Sequence, residues 1–167
     1  MAVETMDDLF LETLKDIYYA EKQILKALPT MVKKSQTPKL KKLLETHRGE
    51  TEAQLERLEA VFELLGEKPR GKKCDAIEGI IKEGKEHMTE IKDELVRDAG
   101  IITSAQAVEH YEICRYGTLV SWAELLGHTK AARLLAQTLK EEKNADALLS
   151  GLAESVVNQH AKMREAA

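Results

Sequence analysis

A chain of 167 residues can bury a sizeable core within one domain, and its composition of 32% charged residues, 4% aromatics, three prolines and nine glycines suits long amphipathic helices with solvated outer faces. The net charge is −4, and the basic groups at Lys33, Lys34, Lys39, Lys41, Lys42 and at Arg70, Lys72, Lys73 are surrounded by acidic residues, which argues for solvated helix ends and against nucleic-acid or anionic-membrane binding. No apolar run approaches the ~20 residues that span a bilayer and no early hydrophobic run precedes a cleavage-like site, so a cytoplasmic protein is expected.

The spacing predicts a first helix over 5–34. Thr5 with Asp8 forms a capping box at its start, and Leu9, Phe10, Leu14, Ile17, Tyr18, Ile24, Leu25 and Leu28 recur as one buried face. Glu21 sits in the middle of that face. A second helix over 38–65 follows the N-cap Thr37 and first-turn Pro38, carries Leu40, Leu43, Leu44, Leu58, Val61, Phe62 and Leu65, and ends before Gly66. His47, Glu50 and Gln54 interrupt its apolar face. Residues 67–92 are too many for an ordinary loop, and a short helix is expected over 75–84, opened by Asp75 with Glu78 and bearing Ile77, Ile80 and Ile81. That small apolar face has few obvious partners within its own bundle, which predicts a homodimer sharing it across a two-fold axis.

A third long helix over 93–126 carries Ile101, Ile102, Ala105, Ile113, Tyr116, Leu119 and Val120, with Gln106, Glu109 and Glu112 along the same stripe. Gly127 closes it, and a fourth over 129–163 carries Leu134, Leu135, Thr138, Leu148, Leu149, Leu152 and Val156 around Glu142. Short connections at 35–37 and 127–129 make two antiparallel hairpins, and one long crossover between them is the connectivity of ferritin-like bundles. Cys74 and Cys114 lack the spacing of a zinc site or redox pair; Cys114 reads as a small buried hydrophobe and Cys74 as an exposed crossover residue.

The polar interruptions carry the functional signal. An ionised carboxylate inside a helix bundle must take up a proton, find a cation or reach water. Glu21, Glu50, Glu109 and Glu142 stand one to each long helix, and their convergence would make a dimetal site, with the two ions ~3.5–4 Å apart. An offset of 92 residues carries Leu43, Thr46, Glu50 and Ala53 onto Leu135, Thr138, Glu142 and Ala145, and an offset of 88 carries Glu21 onto Glu109, as two-fold related hairpins require. The plainer alternative is that the four glutamates reach water or pair with a lysine, that His47 and His110 are hydrogen-bonded boundary residues, and that Tyr18, Tyr116 and Trp122 only pack.

The stretches Tyr19-Ala-Glu-Lys-Gln23, Glu56-Arg-Leu-Glu59, Gly71-Lys-Lys-Cys74, Val108-Glu-His-Tyr-Glu-Ile113, Tyr116-Gly-Thr-Leu119 and Glu141-Glu-Lys143 give the chain a close resemblance to the bacterial stress-protein family of YciF and YciE. That family is a branch of the ferritin-like superfamily, together with rubrerythrins and Dps proteins. The resemblance implies an all-α, ferritin-like four-helix bundle with an additional short helix, a homodimer and a connection with stress responses; it supplies no activity.

Ferritin-like dimetal sites pair a lone glutamate on two helices with Glu-x-x-His on the other two. Here Ala53 and Ala145 stand three residues after Glu50 and Glu142, so both histidines are missing. Substitutes share a helical face with each glutamate: Gln54 and Asp146 four residues on, His47 three residues before Glu50, and Glu112 three after Glu109. The expected metal set is Glu21, Glu50, Glu109, Glu112 and Glu142, with Gln54, Asp146 and His47 as lesser candidates, and its oxygen-rich character favours iron or manganese over zinc. Two functions follow: a dinuclear metal protein acting on dioxygen or peroxide, or a non-catalytic dimeric interaction module with a degenerate site.

Overall fold

Four stripes of residues spaced alternately three and four apart set the architecture. The computed structural model describes residues 3–163 and contains α1 (Met6–Lys34), α2 (Pro38–Leu64), α3 (Asp75–Glu90), α4 (Glu94–Leu125), α5 (Thr129–Leu152), a π turn (Ala153–Val157) and α6 (Asn158–Met163). Buried on α1 are Phe10, Leu14, Ile17, Glu21, Ile24, Leu28 and Met31, and on α2 Leu40, Leu44, His47, Thr51, Gln54, Leu58 and Val61. On α4 the stripe runs Asp98, Ile102, Ala105, Glu109, Glu112, Tyr116, Leu119, Ala123, and on α5 Ala131, Leu135, Thr138, Glu142, Ala145, Leu149, Leu152. A spacing that averages 3.5 keeps one seam of each helix facing inward along its whole length.

The four long helices form an all-α bundle in which α1 neighbours α2 and α4, and α5 completes the square against α2 and α4. Asp98, fully buried at the start of α4, accepts the backbone N–H groups of Gln36 (2.8 Å) and Thr37 (2.7 Å) in the α1–α2 turn. The end of α1, the beginning of α2 and the beginning of α4 therefore meet at one end, so α2 and α4 run parallel and the chain must return the length of the bundle between them. That is the ferritin-like pair of hairpins with one crossover. Thr37 is the N-cap of α2 as expected, but its side chain makes no capping bond; Asp98 takes the helix-start donors instead. The capping box at Thr5 and Asp8 is formed, and Gly66 (φ 72°) and Gly127 (φ 79°) adopt the left-handed backbone that ends α2 and α4.

The crossover helix is longer than its expected span of 75–84. Its buried face is Ile77, Gly84 and Met88, and the glycine hides the periodicity: an added Cβ at Gly84 would lie 3.2 Å from Ser104 Cβ, so the small residue lets α3 approach α4 closely. Cys74, not Asp75, is its N-cap, and Glu78 accepts the Tyr19 hydroxyl rather than closing a capping box. Packed on α1 and α4, α3 buries Ile77 completely against its own chain and leaves Ile80 and Ile81 half-buried. The two cysteines reverse their expected places: Cys74 is buried with its sulfur 3.1 Å from the Tyr111 hydroxyl, and Cys114 is exposed on α4. The expected fourth helix is interrupted by the π turn, whose extra residue brings Val157, rather than Val156, fully into the core. Leu148, expected on the stripe, is 52% exposed. Among the described residues no helix is long and apolar enough to cross a membrane.

Candidate metal centre

Halfway along the bundle the apolar stripes give way to a polar layer. Glu21, Gln54, Glu112 and Glu142 are 0% exposed, Glu109 is 2% and His47 is 4%, so every helix of the square contributes a buried polar side chain. One ligand atom from each of His47, Glu109, Glu112 and Glu142 lies within 4.8 Å of the others. His47 Nε2 is 3.2 Å from Glu109 Oε1 and 3.8 Å from Glu142 Oε2, without the alignment of a hydrogen bond to either. Its Nδ1 faces Glu50 Oε2 at 3.4 Å.

The other partners are few. Tyr116, fully buried, donates its hydroxyl to Glu21 Oε1, and Gln54 Nε2 donates to Glu142 Oε1 and to Glu141 Oε2 (3.2 Å). Glu141 lies outside the layer, held by a two-pronged ion pair with Arg57 at 2.7 Å on both prongs; Arg57 also donates to Thr138 Oγ1 at 3.0 Å. What remains is a set of buried polar atoms without hydrogen-bond partners: Glu21 Oε2, His47 Nε2, Gln54 Oε1, Glu109 Oε2, Glu142 Oε2 and both oxygens of Glu112. Such atoms are rare in folded proteins, and most here are carboxylate oxygens or an imidazole nitrogen, which are metal-ligand donors.

The electrostatics agree. Burial, then the neighbouring Glu142, raises the Glu21 carboxyl to about 8; burial and the approach of Glu142 raise Glu109 to about 11; burial and the charges of Glu21 and Glu142 hold Glu112 well above the ordinary carboxylate range. Burial alone would lower His47, but its contact with Glu50 and the charges of Glu142 and Glu21 outweigh that and raise it. Tyr116 is pushed up by burial and then by Glu21. Protons held by the carboxyls offset this charge; a divalent cation would do it more completely.

Glu21, Glu109, Glu112 and Glu142 are thus brought together with His47 and Gln54. Glu50 is not on the α2 stripe, which passes through His47, Thr51 and Gln54; its side chain is 32% exposed and stands at the edge, touching the layer only through His47. The 92-residue offset therefore relates Glu50 to Glu142 in sequence but not in burial. Asp146 lies on the outer seam between α4 and α5, accepting from Gln106 Nε2 at 3.0 Å and facing His110 Nε2 at 3.4 Å. His47, one of the lesser candidates, lies within 4 Å of Glu50, Glu109 and Glu142. Continuing the three-and-four spacing from Leu40 and Leu44 reaches His47 directly, and that signal was available in the sequence.

Comparison with known proteins places this chain in a family. Residues 5–162 match the family described as a domain of unknown function, DUF892. Over 163 residues the chain is 43% identical to the protein YciF of Escherichia coli strain K12, covering 97% of this chain and 98% of that one. The crystal structure of the E. coli stress protein YciF superposes with a TM-score of 0.89, spanning 93% of this chain and 99% of that chain. YcfI of Rhodopseudomonas palustris, described as a candidate structural protein, superposes with a TM-score of 0.87 at 53% identity, covering 89% of this chain and 94% of that one. A protein from Xanthomonas campestris with a TM-score of 0.75 and 22% identity shares the fold. The chain belongs to the DUF892 family and is a near full-length relative of the E. coli stress protein YciF.

Proposed function

We propose that the protein is a stress protein whose bundle core holds iron or manganese, with His47, Glu109, Glu112 and Glu142 as the ligands of one ion and Glu21, beside Glu112, available to a second. The observation that carries this reading is the convergence of four buried ligand atoms within 4.8 Å, among carboxylate oxygens that have no other partner. When bound, such a metal supplies Lewis acidity and one-electron chemistry toward dioxygen or peroxide. The chain's own residues position and insulate it. Gln54 orients Glu142, Tyr116 orients Glu21, and Glu50 fixes the imidazole through Nδ1 so that Nε2 faces the carboxylates.

The alternative, a structural or interaction module, draws on Ala145, which stands three residues after the buried Glu142 where related dimetal sites place a histidine, on α2, which buries no glutamate, and on the description given to the R. palustris relative. Metal analysis decides between them. Protein purified without chelator, then reconstituted anaerobically with ferrous or manganous ions and desalted, is expected to retain roughly one to two equivalents per chain, in keeping with mononuclear or paired sites. The Glu112→Gln/Glu142→Gln variant should retain the helical circular dichroism of the parent and lose the metal. Wild-type protein that keeps no metal after reconstitution overturns the metal reading.

A further inference from the structure

A second feature adjoins the polar layer. Between α1 and α4, roofed by α3, lies a cavity of ≈ 630 Å³, within the range of small-molecule sites. Its walls are apolar: Ile24 and Leu28 from α1, Ile81 and Met88 from α3, Ile101 and Ala105 from α4. Its inner end reaches His47 and Glu109, and its outer edge carries Lys26, Lys82 and Lys85, all exposed. Among the described residues Lys26 and Lys85 have no ion-pair partner, and Lys82 meets only the exposed Glu86 at 3.7 Å. The acidic residue of the lining on α3, Glu78, is engaged by the Tyr19 hydroxyl.

We infer that this cavity binds an alkyl carboxylate, its chain lying along the apolar walls and its head group held at the mouth by Lys26, Lys82 and Lys85. The charge arrangement fixes the orientation. An ionised carboxylate driven inward would lose its water among apolar walls, whereas at the rim it stays hydrated and meets three ammonium groups with little competition. The chain is the part that gains from the interior, because each methylene removed from water favours binding while the wall atoms lose no hydrogen bond. The cavity stands apart from the metal reading: its walls and lysines are complete without an ion, and its ligand would be bound by a protein stripped of metal.

The test is isothermal titration of the full chain, metal-free at pH 7.5, with dodecanoate below its micellar concentration. One saturable site per chain is expected. Decanoate should bind about fifteen-fold more weakly, the fold-change for two methylenes at about 0.8 kcal/mol each. Ala27→Trp, which fills the cavity from α1, should weaken dodecanoate at least ten-fold, and the surface variant Lys26→Glu/Lys85→Glu should weaken dodecanoate while leaving decanol unaffected. Absence of saturable binding to the wild type overturns the inference, as does equal binding by Ala27→Trp and wild type, or equal weakening of acid and alcohol by the lysine reversals. Uptake blocked because a second copy of the chain covers the mouth, seen by light scattering as a dimer that binds no dodecanoate, overturns it as well.

Discussion

Glu21→Gln isolates the cost of the buried carboxylates. Glu21 is 0% exposed, with its carboxyl raised to about 8 by burial and then by Glu142. The unfolded chain releases this proton near the ordinary carboxylate value of 4.5. A carboxyl raised in the folded state favours folding fully below the unfolded value, and that contribution is lost as pH rises through the folded value; the window here is 4.5 to about 8. At pH 7 the folded protein still holds the proton while the unfolded chain does not, and 2.5 units at 1.36 kcal/mol each come to about 3 kcal/mol. Glutamine is neutral in both states. Its Oε1 can still accept from Tyr116, and its amide replaces the unpartnered Oε2 beside Glu112. The metal-free variant should therefore match the wild type at pH 4.5 and exceed it at pH 7 by up to about 3 kcal/mol, or roughly 6–12 °C in Tm for a chain of this size. Urea unfolding and thermal scans in chelator at the two pH values measure this. A variant no more stable than wild type at pH 7, or one stabilised equally at both pH values, would refute the ionisation argument and point to packing.

Added manganous or ferrous ion should raise the wild-type Tm more at pH 7 than at pH 5, because metal competes with the protons that Glu21, Glu109 and Glu112 hold up to high pH; His47→Ala should abolish most of the rise, and an equal rise at both pH values would contradict the assignment. Asp98→Ala removes the acceptor of two charge-assisted bonds and leaves two helix-start donors unpaired, so urea unfolding should show a loss of about 3–5 kcal/mol, with Asp98→Asn losing less. Cys114 should react with a thiol reagent in the native protein and Cys74 only after unfolding; the reverse order would place α3 wrongly.

The starts of the four long helices, the two glycine stops and the crossover connectivity were legible in the sequence because each rests on local chemistry: caps, left-handed glycines and apolar periodicity. Three of the four single core glutamates were legible for the same reason. Glu50 was not, because a helix face read loosely at offsets of three or four admits residues on either flank; only the strict alternation through Leu40, Leu44, His47, Thr51 and Gln54 shows that it falls to the side. The extent of α3 was hidden by Gly84, a buried position filled by absence of a side chain. Tyr116 as donor to Glu21 and Asp98 as acceptor from the α1–α2 turn depend on contacts 95 and 61–62 residues apart, which no local pattern encodes.

Stripes of repeating three-and-four spacing have a weakness as instructions for assembly: one helix can slide a turn past its neighbours, ~5.4 Å, and still find apolar residues to meet. For the second hairpin such a slip would carry Glu109 and Glu112 away from the level of His47. Asp98 makes the displaced alignment unfavourable, since a one-turn slip pulls its carboxylate from the Gln36 and Thr37 amides and leaves a charge and two donors unmatched at the closed end of the bundle. Eleven residues, about three turns, separate Asp98 from Glu109, so a fixed point at one end works as a ruler that delivers the carboxylates of α4 to the level where the histidine waits.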